Sequence, residues 1–388
     1  MGDRKIASLG NKTPLEHAET PNMDTLAREG VCGRIDVLGR GVEPHSDDAH
    51  LTIFGYDLKK HYPGRGPIEA AGIGIKLMHG DVAMRTNLAT VDKNFTVVDR
   101  RTGRIESTAP FAKDLDGMMI DGVRFIVKPG TAYRMIVIMR GKGLSDKITQ
   151  NDPKIKGRKV LGIHPKDRSK EARFTAAMLT KFIEKSHKIL KANPNNQKIK
   201  KEGKLEGNYL LVRGFGYHKK IPSFKEMYGL KACCIAGAGL YKGIGRTMGM
   251  KVIEVKGATG MPNTNVRAKF KAAKKALEDY DFVFVHVKPA DSLSEDGNVK
   301  GKTEFIEKID RELDVLMDTD AAIVITSDHS TPCELKSHSD DPVPFLINSK
   351  YIDADNVKKF GEADCEKGKF GIVRGKDFMN IVRKTLKF

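Results

Sequence analysis

The hydrophobic pattern divides the chain into three stretches. Residues 1–75 and 220–388 alternate short apolar runs with longer amphipathic stretches, as strands alternate with helices. Residues 76–219 instead carry short β-branched runs separated by turn-forming residues. The sequence therefore predicts an α/β core, formed by 1–75 and 220–388, that is interrupted by an inserted α+β domain at 76–219.

The inserted segment is predicted to form an antiparallel sheet followed by a helix. Its short alternating or β-branched runs lie in 81–92, 94–105 and 123–141, with turn formers such as RTG and KPG between them. Beyond them, apolar residues recur at helical spacing, which predicts packing against a core rather than a cofactor site. These residues are Met178, Leu179, Phe182, Ile183, Ile189 and Leu190.

The C-terminal stretch carries several short, strongly apolar runs with amphipathic segments between them. This order predicts a mostly parallel sheet with helices on both faces. The runs are KACCIAG (231–237), MKVIEV (250–255), FVFVHV (282–287) and AIVIT (322–326).

Polar side chains stand where several of these runs end. Ligands bind at the carboxyl ends of strands in an open α/β sheet. A serine beside carboxylates and imidazoles suits phosphoryl transfer at two metal ions. Taken alone, a Ser-Asp or Asp-His pair is often only a helix cap or turn, so it is the combination that favours a metal site. The candidates are Ser46, Asp291, Asp328, His329 and His338.

Motifs along most of the chain resemble those of a known protein family. The chain is similar to the archaeal-type 2,3-bisphosphoglycerate-independent phosphoglycerate mutases of the alkaline phosphatase superfamily, over essentially its whole length. This implies an alkaline phosphatase-like fold and a cytoplasmic isomerase of glycolysis and gluconeogenesis that interconverts 3-phosphoglycerate and 2-phosphoglycerate. The matching segments are 13–33, 46–57, 62–75, 85–91, 140–148, 221–232, 257–265, 327–332 and 337–347.

The resemblance also implies roles for the candidate residues. Ser46 would be the nucleophile that forms a phosphoserine intermediate. Two divalent ions (Mn²⁺, Mg²⁺, Zn²⁺ or Co²⁺) are expected, and neither 2,3-bisphosphoglycerate nor a nucleotide is expected as a cofactor. One ion would be held by Ser46, Asp328 and His329, and the other by Asp291, Glu295 and His338.

Two departures from the family pattern affect the expected metal site. The family begins with a strand that ends in Asp-Gly-x-Gly-Asp-Arg, and its first Asp ligates metal. This sequence starts at Met1-Gly2-Asp3-Arg4, in the middle of that motif, so the strand and its Asp are absent from it. In addition, Glu295 stands where the family has a histidine.

Basic residues are the expected partners of the substrate's anionic groups. Arginine binds carboxylate and phosphate with two parallel hydrogen bonds. The inserted domain is expected to close over the substrate as a lid. Five arginines in or beside its strands are candidates, although exposed surface charge is the simpler explanation for most. A lysine in the Gly-rich segment 240–246 resembles the family lysine near the transferring phosphate. The residues are Arg85, Arg100, Arg104, Arg134, Arg140 and Lys242.

Composition adds little to this interpretation. The net charge of +18 is attributed mainly to a lysine-rich surface, with an anion-attracting funnel or nucleic-acid affinity as alternatives. The five cysteines lack metal-site spacing and fit reduced thiols in a cytosol. The expected partner is a small phosphorylated hydroxy acid, not nucleic acid or a membrane, and homo-oligomerisation is left open.

Two further functions stay open at this stage. One is a metal-dependent phosphatase or phosphotransferase on the same scaffold, for example one acting on homoserine, which Glu295 favours. The other is a metal-deficient, inactive paralogue retained for binding.

Overall fold

The computed structural model describes residues 1–388 and contains thirteen strands. They are β1 (Gly30–Asp36), β2 (Val82–Val91), β3 (Val97–Asp99), β4 (Met118–Ile120), β5 (Val123–Pro129), β6 (Arg134–Arg140), β7 (Tyr209–Tyr217), β8 (Ala232–Ile235), β9 (Lys251–Val252), β10 (Phe282–Val285), β11 (Ile323–Ile325), β12 (Val343–Asn348) and β13 (Ile372–Arg374).

Sixteen α-helices accompany the strands, with short 3₁₀ turns at Ala7–Leu9 and Thr102–Arg104. The helices are α1 (Pro14–His17), α2 (Pro21–Arg28), α3 (Ser46–Ile53), α4 (Leu58–His61), α5 (Arg65–Gly72), α6 (Ala109–Leu115), α7 (Lys170–Ala192), α8 (Pro194–Lys201), α9 (Phe224–Tyr228), α10 (Gly239–Thr247), α11 (Val266–Ala276), α12 (Pro289–Glu295), α13 (Val299–Glu312), α14 (Asp314–Met317), α15 (Glu362–Cys365) and α16 (Gly375–Leu386). No helix is both long and apolar enough to cross a membrane.

The fold is mixed α/β with several sheets, and the chain forms two compact units. The first unit contains Met1–Tyr62 and Ile221–Phe388, and the second contains Pro63–Lys220. The second unit thus begins at 63, whereas the sequence placed the start of the inserted domain at 76. The difference arises because α5 packs against β2 and β7 of the second unit.

The second unit is built on one antiparallel sheet in which β2 pairs with β3, β6 and β7, and β5 pairs with β4 and β6. The antiparallel pairing predicted for this segment is therefore confirmed. Alternate residues of each strand face opposite sides. Val137 joins the larger core with α6 and α7, whereas Ile136 and Ile138 pack with Ala70 of α5.

Helix α7 covers one face of this sheet, as its hydrophobic spacing predicts. Ser169 caps its N-terminus by accepting a hydrogen bond from the Ala172 amide at 3.1 Å. Phe182, which is fully buried, stacks on Phe125 of β5 with ring centroids 4.1 Å apart. The helix is thus held to the sheet by its apolar face, and the prediction of a packing role is confirmed.

The first unit contains two sheets rather than the single, mostly parallel sheet predicted from the sequence. One has the order β11-β12-β1-β13, and β12 runs antiparallel to both of its neighbours. The other is parallel, with the order β10-β8-β9. No helix lies between β11 and β12, and the chain therefore returns antiparallel instead of making a parallel crossover.

A cavity of about 620 Å³ is lined by both β10 and β11. These strands belong to different sheets, so each has an edge without a strand partner. Their side chains are apolar but only half-buried, unlike those of the fully buried β8. Residues that follow these strands, including His286, Asp328 and His329, also line this cavity.

Candidate metal centre

Ser46 is the first residue of α3 and its side chain is buried. The amide of His45, the residue before it, donates to Asp48 Oδ1 at 2.8 Å and so helps to close the first turn. Ser46 Oγ lies 3.1 Å from His329 Nε2 and 3.2 Å from Tyr241 Oη. The hydroxyl therefore contacts an imidazole and a phenol instead of capping the helix.

A first group of possible metal ligands consists of Asp291, His329 and His338. One ligand atom of each lies within 4.8 Å of the other two. The His329 and His338 rings stack with centroids 3.7 Å apart, and His338 Nε2 is 3.5 Å from Asp291 Oδ1. His338 Nδ1 donates to the carbonyl of Pro44 at 2.9 Å, which leaves Nε2 for the carboxylate or a cation.

In this group, charge pairing shifts the pKa values of Asp291 and His338 more than burial does. Burial alone would raise the pKa of Asp291, but the hydrogen bond from His338 and the charge of Lys288 lower it far below its ordinary value. Burial alone would lower the pKa of His338, but its hydrogen bond and charge interaction with Asp291 raise it. Asp291 is thus a carboxylate at neutral pH, as a metal ligand must be.

A second group consists of His50, His286 and Asp328, and its ligand atoms also lie within 4.8 Å of one another. Asp328 Oδ2 is 3.2 Å from His329 Nε2 and 3.5 Å from His50 Nδ1. Neither contact has hydrogen-bond geometry, and this buried oxygen has no hydrogen-bond partner. Burial would raise the pKa of Asp328, but the neighbouring imidazoles hold it well below its usual value.

Burial sets the protonation of the two imidazoles in the second group. It lowers the pKa of His50 and lowers that of His286 still more clearly, despite the charge of Asp328. Both rings are therefore neutral near pH 7 and keep one nitrogen lone pair each. Neutral imidazole and carboxylate are common ligands of Zn²⁺, Mn²⁺ and Co²⁺.

The structure brings five of the residues predicted from the sequence into this region, and leaves two outside both ligand groups. Those brought together are Ser46, Asp291, Asp328, His329 and His338. Glu295 is the last residue of α12 and is exposed. Lys242 lies on α10, where its ammonium pairs with Glu254. Their predicted roles as a metal ligand and a phosphate neighbour stay predictions.

Three residues of the site were missed by sequence reasoning: His50, His286 and Tyr241. His50 had a detectable signal, because residues four apart share one face of a helix and His50 follows Ser46 by that spacing. His286 directly follows β10, and Asp328 likewise lies shortly after a strand, β11. Tyr241 gave no signal, since its contact with Ser46 arises only from packing of α10 against α3.

Two of the predicted arginines in the second unit already have carboxylate partners. Arg100 donates to both oxygens of Asp152, at 3.0 and 2.6 Å. Arg140 donates to both oxygens of Asp81, at 2.9 and 2.7 Å. Because Asp152 and Asp81 are buried, these bidentate pairs hold the unit together and leave each guanidinium less capacity for a ligand.

Other arginines of the second unit lack such pairing. Arg134 Nε is buried without a hydrogen-bond partner, and its guanidinium lies over the Tyr133 ring. Arg85 Nε is also buried without one, 3.5 Å from Glu69 Oε1. Burial lowers the pKa of Arg85 to about 9, against the charge of Glu69. Arg104, by contrast, is exposed.

Comparison with known proteins identifies relatives over the whole chain. A family model described as 2,3-bisphosphoglycerate-independent phosphoglycerate mutase matches residues 27–196. The mutase of that name from Methanococcus maripaludis is 45% identical, over 98% of this chain and 95% of its own length. A second, from Methanocaldococcus jannaschii, is 45% identical over 98% of this chain and 94% of its own.

Two solved structures superpose on nearly the whole of this chain. A protein from Pyrococcus horikoshii superposes with a TM-score of 0.85 and 36% identity, covering 100% of this chain and 95% of its own. A cofactor-independent phosphoglycerate mutase from Thermoplasma acidophilum superposes with a TM-score of 0.72 and 32% identity, covering 99% and 96% of the two chains.

Proposed function

The chain belongs to the 2,3-bisphosphoglycerate-independent phosphoglycerate mutase family, and we propose that it interconverts 3-phosphoglycerate and 2-phosphoglycerate through a phosphoserine at Ser46. The observation that carries this proposal is the position of Ser46 Oγ, 3.1 Å from His329 Nε2 at the edge of two carboxylate–imidazole groups. No cofactor bisphosphate is needed, since the serine itself carries the phosphoryl group between the two positions.

The residues present fit divalent cations. The donor set combines ionised carboxylates with imidazoles, and the buried Asp328 Oδ2 lacks any hydrogen-bond partner. Asp291, His329, His338 and Asp328 would hold the cations. When bound, divalent cations lower the pKa of a nearby hydroxyl and offset the charge on phosphoryl oxygens. Glu295 is not counted among these ligands, because it is exposed and lies outside both ligand groups.

Ser46 acts on the phosphate in two balanced steps. Its Oγ attacks the phosphorus of 3-phosphoglycerate, so that the Oγ–P bond forms as the bond to the C3 oxygen breaks, and the proton lost by the serine hydroxyl ends on the C3 oxygen. The released glycerate reorients. Its C2 hydroxyl oxygen then attacks the phosphoserine as the Oγ–P bond breaks, and the C2 hydroxyl proton restores the Ser46 hydroxyl. Tyr241, 3.2 Å from Oγ, orients the hydroxyl.

Two features of the chain support binding of the anionic substrate. Ser46 stands at the N-terminus of an eight-residue helix, where backbone amides favour phosphate oxygens. In the inserted unit, Arg134 Nε has no hydrogen-bond partner, and the nearest carboxylate to Arg85 Nε, that of Glu69, is 3.5 Å away, so a phosphate or carboxylate could pair with these guanidinium groups. The substrate-binding role of that unit is part of this proposal.

The test is a direct assay of the purified chain. It is incubated with 3-phosphoglycerate and Mn²⁺, without 2,3-bisphosphoglycerate, and 2-phosphoglycerate is followed with coupled enolase. We expect turnover that a chelator abolishes and added Mn²⁺ restores. Release of inorganic phosphate without 2-phosphoglycerate would contradict the proposal and point to a phosphatase. Absence of both metal binding and either product would point to the metal-deficient, inactive paralogue.

A further inference from the structure

Thr331 is a buried residue whose hydroxyl lies between His329 and Asp291. It follows β11 and is 3% exposed. Its Oγ1 donates to Asp291 Oδ1 at 3.0 Å and lies 3.1 Å from His329 Nδ1. Thr331 belongs to the matching segment 327–332, but neither the ligand groups nor the reaction steps above give it a role.

The single proton of the Thr331 hydroxyl sets the direction of both contacts. A carboxylate can only accept, so this proton points to Asp291 Oδ1, while Lys288 Nζ donates to the other carboxylate oxygen. Thr331 Oγ1 then presents a lone pair to His329, and Nδ1 of that ring must donate to it. In the neutral His329 ring the proton is therefore on Nδ1 and the lone pair is on Nε2.

The opposite edge of the His329 ring faces the nucleophile. Its Nε2 lies 3.1 Å from Ser46 Oγ, so the lone pair on Nε2 accepts a hydrogen bond from the serine hydroxyl. A proton on Nε2 would instead point toward Ser46 Oγ or toward Asp328 Oδ2, which is 3.2 Å away. Because a carboxylate attracts such a donor, the two tautomers compete, and the Thr331 hydroxyl supplies the contact that favours the Nδ1 proton.

The backbone of Thr331 is held independently of its side chain. Its amide donates to the carbonyl of Gly2 at 3.1 Å, and its own carbonyl accepts from Lys302 Nζ at 3.2 Å. Lys302 is itself fully enclosed, at 1% exposed. A substitution of the Thr331 side chain therefore removes the hydroxyl contacts and leaves the anchors of the segment in place.

We propose that Thr331 is a positioning residue that holds His329 in the tautomer whose Nε2 lone pair faces Ser46. The inference rests on the proposed function, and it adds a residue that acts on Ser46 only through His329. The chain of contacts runs from Ser46 Oγ through the His329 ring and the Thr331 hydroxyl to Asp291 Oδ1.

The first measurement detects the tautomer itself. The metal-free chain is labelled with ¹⁵N-histidine, and long-range proton–nitrogen correlation spectra are recorded at about pH 8, where an ordinary imidazole is mostly neutral. The chain has 11 histidines, and the His329 signals are identified by their loss in His329→Gln. We expect a protonated Nδ1 in the unmodified chain and in Thr331→Ser. In Thr331→Val the proton should move wholly or partly to Nε2.

The second measurement separates kcat from KM in the coupled enolase assay with saturating Mn²⁺. Loss of the outer hydrogen-bond partner of a histidine in such a centre typically costs about 10–100-fold in activity, so we expect a fall of that size in the kcat of Thr331→Val. KM should change little, because no substrate contact is removed. Thr331→Ser, which keeps the hydroxyl, should retain nearly full kcat.

Thr303→Val is the matched control for both measurements. Thr303 is also buried in the first unit, but its hydroxyl donates to the carbonyl of Val299, within its own helix α13, at 3.0 Å. This variant should leave the His329 tautomer and kcat unchanged.

Several results would overturn the proposal. A proton on His329 Nε2 in the unmodified chain would do so even if Thr331→Val fails to fold. An unchanged tautomer in folded Thr331→Val would do so whatever happens to kcat, since the residue would then be only structural. A loss of kcat in Thr331→Ser equal to that in Thr331→Val would also contradict it, because serine keeps the hydroxyl.

The outcome is separable from that of the mutase proposal, because the tautomer is measured without metal or substrate. If the tautomer depends on the Thr331 hydroxyl but no 2-phosphoglycerate forms, this inference stands and the mutase proposal fails. If the chain converts 3-phosphoglycerate while the tautomer is independent of Thr331, the mutase proposal stands and this inference is wrong.

Discussion

Ser46 Oγ lies 3.1 Å from His329 Nε2, although the two residues are 283 positions apart in the chain. The contact joins the first residue of α3 to the segment that follows β11. It depends on two elements that meet only in the folded first unit. Chemistry at Ser46 is therefore tied to the integrity of that unit.

Replacement of Ser46 by alanine should abolish phosphoryl transfer and leave cation binding largely intact. The substitution removes the nucleophile but none of the carboxylates or imidazoles around it. We expect turnover in the coupled enolase assay to fall by more than about a thousandfold, as for other enzymes that lose their nucleophile. Ser186→Ala is the control, since Ser186 is also buried but lies in α7. Turnover like that of the unmodified chain in Ser46→Ala would remove Ser46 from the mechanism.

Replacement of Arg134 by alanine should weaken substrate binding. A hydrogen bond to a charged group contributes about 1.5–3 kcal/mol, which corresponds to roughly a 10- to 100-fold higher KM. Arg134 has a buried nitrogen without a hydrogen-bond partner, whereas Arg104 is exposed. Arg104→Ala should therefore change KM little. Steady-state kinetics with 3-phosphoglycerate distinguish the two. An effect of Arg104→Ala equal to that of Arg134→Ala would contradict this ranking.

An apolar strand fused ahead of Met1 should fill the cavity beside β10 and β11. The Met1 amine donates to Ser327 Oγ at 2.7 Å, so a segment joined there starts at the end of β11. A strand of about 5–6 Val and Ile residues could pair with both open edges and bury their apolar side chains. We expect a rise of several degrees in the melting temperature, measured by circular dichroism.

The controls separate strand formation from added length. A Gly/Ser extension of equal length should leave the melting temperature unchanged. An Asp placed at the end of the apolar strand should also raise metal occupancy more than Glu295→His does, because Glu295 is exposed and outside both ligand groups. A larger gain in occupancy from Glu295→His would reverse that order.

Replacement of Lys302 by methionine should strongly destabilise the chain. Lys302 Nζ lies 2.7 Å from Asp3 Oδ2, and both side chains are about 1% exposed. Without the lysine, Asp3 is left as a buried charge without its cationic partner, which costs about 3–5 kcal/mol. Lys300→Met is the control, since Lys300 is 87% exposed in its pair with Glu304. Urea unfolding should show the difference, and equal midpoints for the two variants would show that the pair is not stabilising.

The sequence pattern predicted the structure correctly where the residues involved lie within one helix or strand. The spacing of Leu179, Phe182 and Ile183 predicted the buried face of α7, because a helix brings residues three and four apart onto one side. The apolar run within 134–139 likewise predicted a strand, and the structure buries both faces of that strand. Ser46 and the Asp328-His329 pair were found because ligand groups follow strands and precede helices in α/β folds.

Tertiary structure decided which of these residues meet. By resemblance to the family, the sequence grouped Asp328 with His329, and Asp291 with Glu295 and His338. The fold keeps Asp328 3.2 Å from His329 and also brings His329 within 4.8 Å of Asp291 and His338. By contrast, Glu295 is exposed at the end of α12. His50 and His286 became part of the site only through the packing of α3 and the position of β10. The sequence pattern of a single element does not determine how far apart such elements lie.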